Sequence, residues 1–259
     1  MSIGARKFSI LITGAGSGIG LGVARHMAQS GHRVVISDIQ VDEAATAAAE
    51  LTDNGFAARS SALDVMSAAD IAAVMSQLRD DPPDVLINNA GLQYVAPLED
   101  FPPERWERLV AVMLTGAAML TRAVLPGMRS RGFGRIVNIG SVHSLVASPY
   151  KSAYVAAKHG LVGFAKSIAL ETRDCDITVN TVCPGYVMTP LVDAQIDALA
   201  KIHGLGRDRV VEEIMLNPMP KRQFISLEEI GGAIDFLLSN AARNITGQCL
   251  TIDGGWTAQ

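Results

Sequence analysis

The chain has 259 residues, of which 49% are apolar and 19% charged, with a net charge of −4. That length and apolar content suit one α/β domain whose sheet is covered on both faces. The mild acidity offers no basic field, so neither a nucleic acid nor a membrane is expected as a partner.

The N-terminal apolar run is short and turns at once into a glycine loop, unlike a secretory leader. Nor is there a run of about 18 consecutive apolar residues, so no membrane-spanning helix is expected. Cys175, Cys183 and Cys249 lack metal-ligand spacing and read as small core residues. No metal is expected, and a reducing, cytoplasmic location fits.

In chain order, strand-like runs occur at 8–13, 33–37, 58–63, 84–88, 135–139, 177–182 and 249–252. Helical periodicity fills the intervals at 18–30, 42–54, 68–80, 104–130, 152–174 and 227–239. The runs are apolar at nearly every position, which predicts strands buried on both faces of a parallel sheet with right-handed crossovers. The expected fold is therefore α/β, a Rossmann-like doubly wound parallel sheet in a single domain over residues 1–259. Residues 190–222 interrupt the rhythm with a helical pair jointed at Gly204 to Gly206, and read as a lid inserted over a site.

After the first strand comes Thr13-Gly14-Ala15-Gly16-Ser17-Gly18-Ile19-Gly20, followed directly by a helical segment. Glycines let the backbone approach a pyrophosphate, and the helix N-terminus offers it unpaired N–H groups. Gly14, Ser17, Gly18, Ile19 and Gly20 are the candidate contacts. Asp38 closes the second strand, where a carboxylate can accept hydrogen bonds from an adenine ribose. Asp64-Val65 and Asn88-Asn89-Ala90-Gly91 end the third and fourth strands. Asp64 is open to reading as a helix cap, and Asn88 as a tie between strands.

Tyr154 and Lys158 stand four apart in a helical segment and so share a face. A tyrosine titrates near pH 10 and needs a neighbouring cation to act as a base at neutral pH. Ser141 ends the fifth strand, and its hydroxyl can hydrogen-bond a carbonyl or alkoxide oxygen.

The TGxxxGxG loop, NNAG, Ser141 and the YxxxK pair, in this order and spacing, resemble the short-chain dehydrogenase/reductase family. The resemblance covers essentially the whole chain. It implies an NAD-dependent oxidoreductase in which Ser141, Tyr154 and Lys158 are catalytic. It further implies that Asp64 and Val65 meet the adenine and that Asn89 and Ala90 line the cofactor ribose. Tyr154 and Lys158 would also touch the cofactor, and Val187 and Thr189 would hold the nicotinamide carboxamide. A homotetramer is also implied.

One position departs from the family pattern: Met113 stands where many members carry an Asn that holds a proton-relay water, and a thioether is a poor acceptor. Within the family, NNAGLQYVAPLEDFP, SVHSLVASPYKSAYVAAKHG, CPGYVMTPLVDAQI and ITGQCLTIDGGWTAQ resemble the D-3-hydroxybutyrate dehydrogenases. That likeness implies that Gln93, His143, Lys151 and Gln195 converge with Ser141 and Tyr154 on a small hydroxy or keto acid, a set suited to a carboxylate. Taken singly, Lys151 and Gln195 also read as solvated side chains and His143 as a loop histidine. Tyr186 replaces a common Trp, and Trp256 matches. Two alternatives stay open: an oxidoreductase acting on another ketone or secondary alcohol, and a cofactor-binding regulatory protein with weak catalysis.

Overall fold

The computed structural model describes residues 6–258. Seven strands form one sheet: β1 (Ser9–Thr13), β2 (Arg33–Asp38), β3 (Ala58–Ala62), β4 (Val85–Asn88), β5 (Phe133–Ile139), β6 (Asp176–Pro184) and β7 (Cys249–Ile252). They lie in the order β3-β2-β1-β4-β5-β6-β7, and every pairing is parallel. The order reverses beside β1, which pairs with both β2 and β4. In such sheets the crevice beyond the carboxyl ends at the reversal is where ligands bind.

The period-2 geometry of a strand divides its apolar residues between two helical layers. Ile10 and Ile12 pack with Val23, Met27, Ile230 and Ile234 of α1 (Gly18–Gln29) and α9 (Leu227–Leu238), and with Ala44 of α2 (Val41–Asp53). Leu11 and Leu86 face the other way, onto Val74 of α3 (Ala68–Gln77), Leu120 and Val124 of α5 (Gly116–Arg131) and Ala165 of α6 (Ser152–Glu171). The expectation of burial on both faces holds for β1, β4 and β5, which are buried throughout. It fails for β3, whose Ala58-Arg-Ser-Ser-Ala62 run is mostly exposed. As an edge strand it has one neighbour, and its charged and polar side chains discourage pairing with another chain.

The 104–130 expectation is a composite in the structure. A short α4 (Pro103–Val110) runs into a π-helical turn at Ala111–Thr115 and then into α5. Together Pro103–Arg131 is long and apolar enough, by length and composition, to cross a membrane. Its buried residues Leu109, Met113, Leu120, Val124 and Met128 belong to two of the hydrophobic cores.

The 190–222 excursion forms α7 (Pro190–His203) and α8 (Arg207–Val210), the latter continued by a π turn at Val211–Met215. Gly204 caps α7 with φ 63°, a left-handed conformation that a side chain would strain. Val192, Ile196, Val210 and Met215 give the excursion a small core of its own. Arg207 joins Asp193 and Asp197 on α7, tying the two helices together beyond the joint.

Candidate active site

The glycine loop is shaped by close approaches. A Cβ on Gly20 would lie 2.4 Å from the Gly14 carbonyl oxygen and 2.5 Å from Asn89 Nδ2, and one on Gly14 would lie 2.8 Å from Ala90 Cα. Only glycine lets α1 start this close to the ends of β1 and β4.

Thr13 and Asn89 lock the loop onto the fourth strand. Thr13 Oγ1 accepts the main-chain N–H groups of Asn89 and Ala90, both at 3.0 Å. Asn89 Nδ2 donates to the carbonyls of Thr13 and Gly14 at 2.9 and 2.8 Å. The side chain of Asn89 is thus spent on the loop, and Ala90 offers a small surface beside it. Asn88 donates to Asn138 at 2.9 Å, tying β4 to β5.

The Ser17 side chain makes no cap on α1, whereas Ser67 caps α3 and Ser226 caps α9. The leading N–H groups of α1 thus have no side-chain acceptor from the cap, which fits a bound pyrophosphate. Asp38 is buried at the end of β2, with Oδ2 accepting from Gly16 N at 2.9 Å and Oδ1 from Gln40 N at 3.0 Å. Asp64 accepts from Met66 N at 2.9 Å, so it shapes the turn after β3 and leaves the α3 cap to Ser67. Cradle, free helix terminus and carboxylate together fit a dinucleotide.

Across the reversal lies a cleft open to solvent. Its walls bring together Gln93, Ser141, His143, Lys151, Tyr154, Val187, Thr189 and Gln195, from five separate segments of the chain. Ile19 reaches it from the glycine loop, and Leu191 and Val192 add an apolar edge from α7 that the sequence motifs did not mark. Their signal was present only as apolar positions on a helix carrying Gln195.

Ser141 leads a short helical turn and accepts the His143 main-chain N–H at 3.1 Å. Burial raises the Tyr154 pKa, and a hydrogen bond with Ser141 opposes that rise. Lys158 Nζ donates to the Ile139 carbonyl at 2.6 Å and stands 5.6 Å from the Tyr154 ring centre. Burial lowers its pKa to about 8. The neighbouring cation that the YxxxK spacing called for is in place, but burial dominates the phenol in the protein alone.

His143 is buried, and burial followed by Lys151 pulls its pKa down to about 4, so it is neutral at ordinary pH. Lys151 is held at about 8 by burial. Trp256 packs edge-on to His143 at 5.6 Å and against Tyr186 at 5.7 Å, and lines the cleft with them.

Met113 is 1% exposed and packs with Phe101, Leu109, Ala153 and Ala157. It sits inside the π turn. There the Gly116 N–H reaches back five residues to the Ala111 carbonyl, one residue further than in the flanking α-helix.

A hydroxyl just beyond β5, beside a half-buried Tyr and a buried Lys and next to a dinucleotide cradle, fits a nicotinamide-dependent oxidoreductase. The family model for short chain dehydrogenase matches residues 9–199, and the chain belongs to that family. The chain is 44% identical over 251 residues to D-beta-hydroxybutyrate dehydrogenase of Cupriavidus necator, covering 96% of this chain and 97% of that one. It is 43% identical over 254 residues to the enzyme of the same name from Rhizobium meliloti, covering 96% and 98%. Among solved structures, a gluconate 5-dehydrogenase from Burkholderia cenocepacia in complex with NADP and tartrate superposes with a TM-score of 0.88 at 35% identity, covering 97% of this chain and 96% of that one.

Proposed function

We propose that the protein catalyses the NAD-dependent, reversible oxidation of D-3-hydroxybutyrate to acetoacetate. The observation that carries this reading is the composition of the cleft. Ser141 and Tyr154 stand together with one cation, Lys151, two amides, Gln93 and Gln195, and a neutral imidazole, His143. No carboxylate lines it among the described residues. Such a set accepts a monoanionic acid whose reacting oxygen lies a few bonds from its carboxylate.

In oxidation, Tyr154 takes the hydroxyl proton while Ser141 donates to the same oxygen and orients it. Lys158 holds positive charge behind the phenol, favouring its ionised form. A nicotinamide cofactor held in the cradle would supply the hydride acceptor, at its C4. Gly14, Ser17, Gly18, Ile19 and Gly20 would hold the pyrophosphate, and Asp38 the adenine ribose. Asp64 and Val65 would border the adenine, Asn89 and Ala90 the second ribose, and Val187 and Thr189 the carboxamide.

Support for NAD rather than NADP is the buried carboxylate of Asp38 with no Arg or Lys at Gly16, Ser17 or Ile39 to receive a 2′-phosphate. The similar structure holding NADP makes this a point to measure.

A second reading is reduction of another ketone or oxidation of another secondary alcohol. It is favoured by Tyr186, whose hydroxyl adds polarity at the wall shared with Trp256. One experiment separates the readings: NADH formation with each enantiomer of 3-hydroxybutyrate, with longer 3-hydroxy acids and with neutral secondary alcohols. Turnover confined to short D-3-hydroxy acids supports the first; equal turnover of neutral alcohols removes it.

A further inference from the structure

The substrate end of the cleft holds a cation without a counter-ion. Lys151 precedes α6 and follows Tyr150, whose φ of 66° lies in the left-handed region that a bulky residue rarely adopts. The Tyr150 carbonyl accepts the Ala96 N–H at 3.0 Å, which holds that turn in place. The turn delivers Lys151 to the cleft wall. Among the described residues Nζ has neither an ion pair nor a hydrogen bond. The groups that line the cleft with it, His143, Tyr154, Tyr186, Gln93 and Gln195, include no acid, and the imidazole is neutral.

What Nζ does meet is the ring of Tyr186, whose centre is 5.6 Å away. The ring is itself braced. Trp256 packs on it at 5.7 Å, His143 packs edge-on to Trp256 at 5.6 Å, and the Tyr186 carbonyl accepts the Ile225 N–H at 2.8 Å. Its hydroxyl stays protonated, with burial and the nearby Tyr154 pushing its pKa up to about 12. A half-desolvated ammonium with no carboxylate to pair with is attracted to an aromatic face, and more strongly as water is excluded.

We infer that Tyr186 is a positioning residue for Lys151: its ring face holds the ammonium at the cleft wall before the anionic substrate arrives. The inference rests on the reading of Lys151 as the carboxylate's cation. Its consequence is preorganisation. A flexible lysine that must be ordered during binding subtracts side-chain entropy from affinity, and one already held on a ring does not.

The test compares Tyr186→Leu, which removes the aromatic face, with Tyr186→Phe and Tyr186→Trp, which keep it. For acetoacetate, Tyr186→Leu is expected to raise KM roughly tenfold more than it lowers kcat, while Phe and Trp keep KM within about threefold. For the uncharged methyl ester, the Leu variant should show no such excess. In the Lys151→Met background, Tyr186→Leu should add little to KM. An equal penalty on acid and ester, a Phe variant as impaired as Leu, or additive effects with Lys151→Met would overturn the inference.

A readout without turnover accompanies these. The rate at which an activated acetyl ester modifies Lys151, followed by peptide mass spectrometry, should change several-fold in Tyr186→Leu and stay near wild type in Tyr186→Phe. An unchanged rate in the Leu variant overturns the positioning role even if the acid turns out not to be the substrate. Failure of the wild type to turn over any 3-hydroxy acid counts against the substrate reading instead.

Discussion

Asp38 and Gly16 are joined across the nucleotide loop, the carboxylate Oδ2 accepting the glycine N–H at 2.9 Å. A Cβ on Gly16 would stand 3.1 Å from the same oxygen, so loop and carboxylate share one small space. A 2′-phosphate placed there meets a like charge. At about 4 Å and an effective dielectric near 20 that costs on the order of 4 kcal/mol before screening. Wild-type kcat/KM should therefore favour NAD over NADP by roughly a hundredfold or more, and Asp38→Ala should narrow the ratio mainly by losing NAD. Steady-state kinetics with both cofactors decide it, and equal efficiency in the wild type contradicts this role for Asp38.

Lys151→Met is expected to raise KM for acetoacetate strongly while leaving NADH affinity unchanged, because loss of a cation from a shielded carboxylate costs roughly 2–5 kcal/mol. The pH dependence has a definite sign. Burial sets Lys151 at about 8, so the free protein carries the charge below that pH and loses it above. Since kcat/KM reports groups of the free enzyme, its value for the acid should fall about tenfold per unit above pH 8 relative to the neutral methyl ester. Taking the ratio cancels Lys158, whose pKa is also about 8. A flat ratio from pH 6 to 10 would exclude Lys151 from substrate binding.

The α7–α8 segment is expected to act as a lid that gains order over substrate. Gln195 and Val192 of α7 line the cleft, and Gly204 supplies the left-handed joint. The Arg207 ties to Asp193 and Asp197 predict that the two helices move together. Hydrogen exchange over residues 190–215 should slow when NAD and a substrate analogue are both present. Protection that is already high and does not change would mean a fixed structural pair.

Under the proposed mechanism the proton taken by Tyr154 would leave through Lys158, and Met113 lines the same small cavity as Lys158. The wild type is expected to be an active dehydrogenase, with the main chain of the π turn at Ala111–Thr115 holding the relay water in place of an Asn side chain. Met113→Asn should raise kcat about tenfold, most clearly at lower pH where proton release is hardest. It should also lower stability by about 1–3 kcal/mol, since the amide would replace a thioether packed against Phe101, Leu109, Ala153 and Ala157. Calorimetry and a pH–rate profile on the same preparation measure both. An active wild type with an unchanged profile in the variant would place the relay elsewhere.

The sequence by itself determined the order of strands and helices, the glycine loop, the strand-end Asp38 and the helical face shared by Tyr154 and Lys158, because each rests on short-range rules; the grouping of Ser141 with that pair came from the family resemblance. An apolar run makes a buried strand, glycines mark a close approach, and a four-residue spacing puts two side chains on one helical face. Its periodicity even placed the joint at Gly204 to Gly206. Those rules see one segment at a time, which is why β3 was misread as doubly buried: edge position depends on which strands are neighbours.

Tertiary structure alone decided what the segments do to one another. It turned the side chain of Asn89 onto Thr13 and Gly14, opened a π turn around Met113, and set Tyr186 beneath Lys151. It also set the protonation of the cleft, for His143, Lys151 and Lys158 are shifted chiefly by burial. Burial is a property of the packed assembly of all seven strands and their helices, and no local pattern of residues contains it.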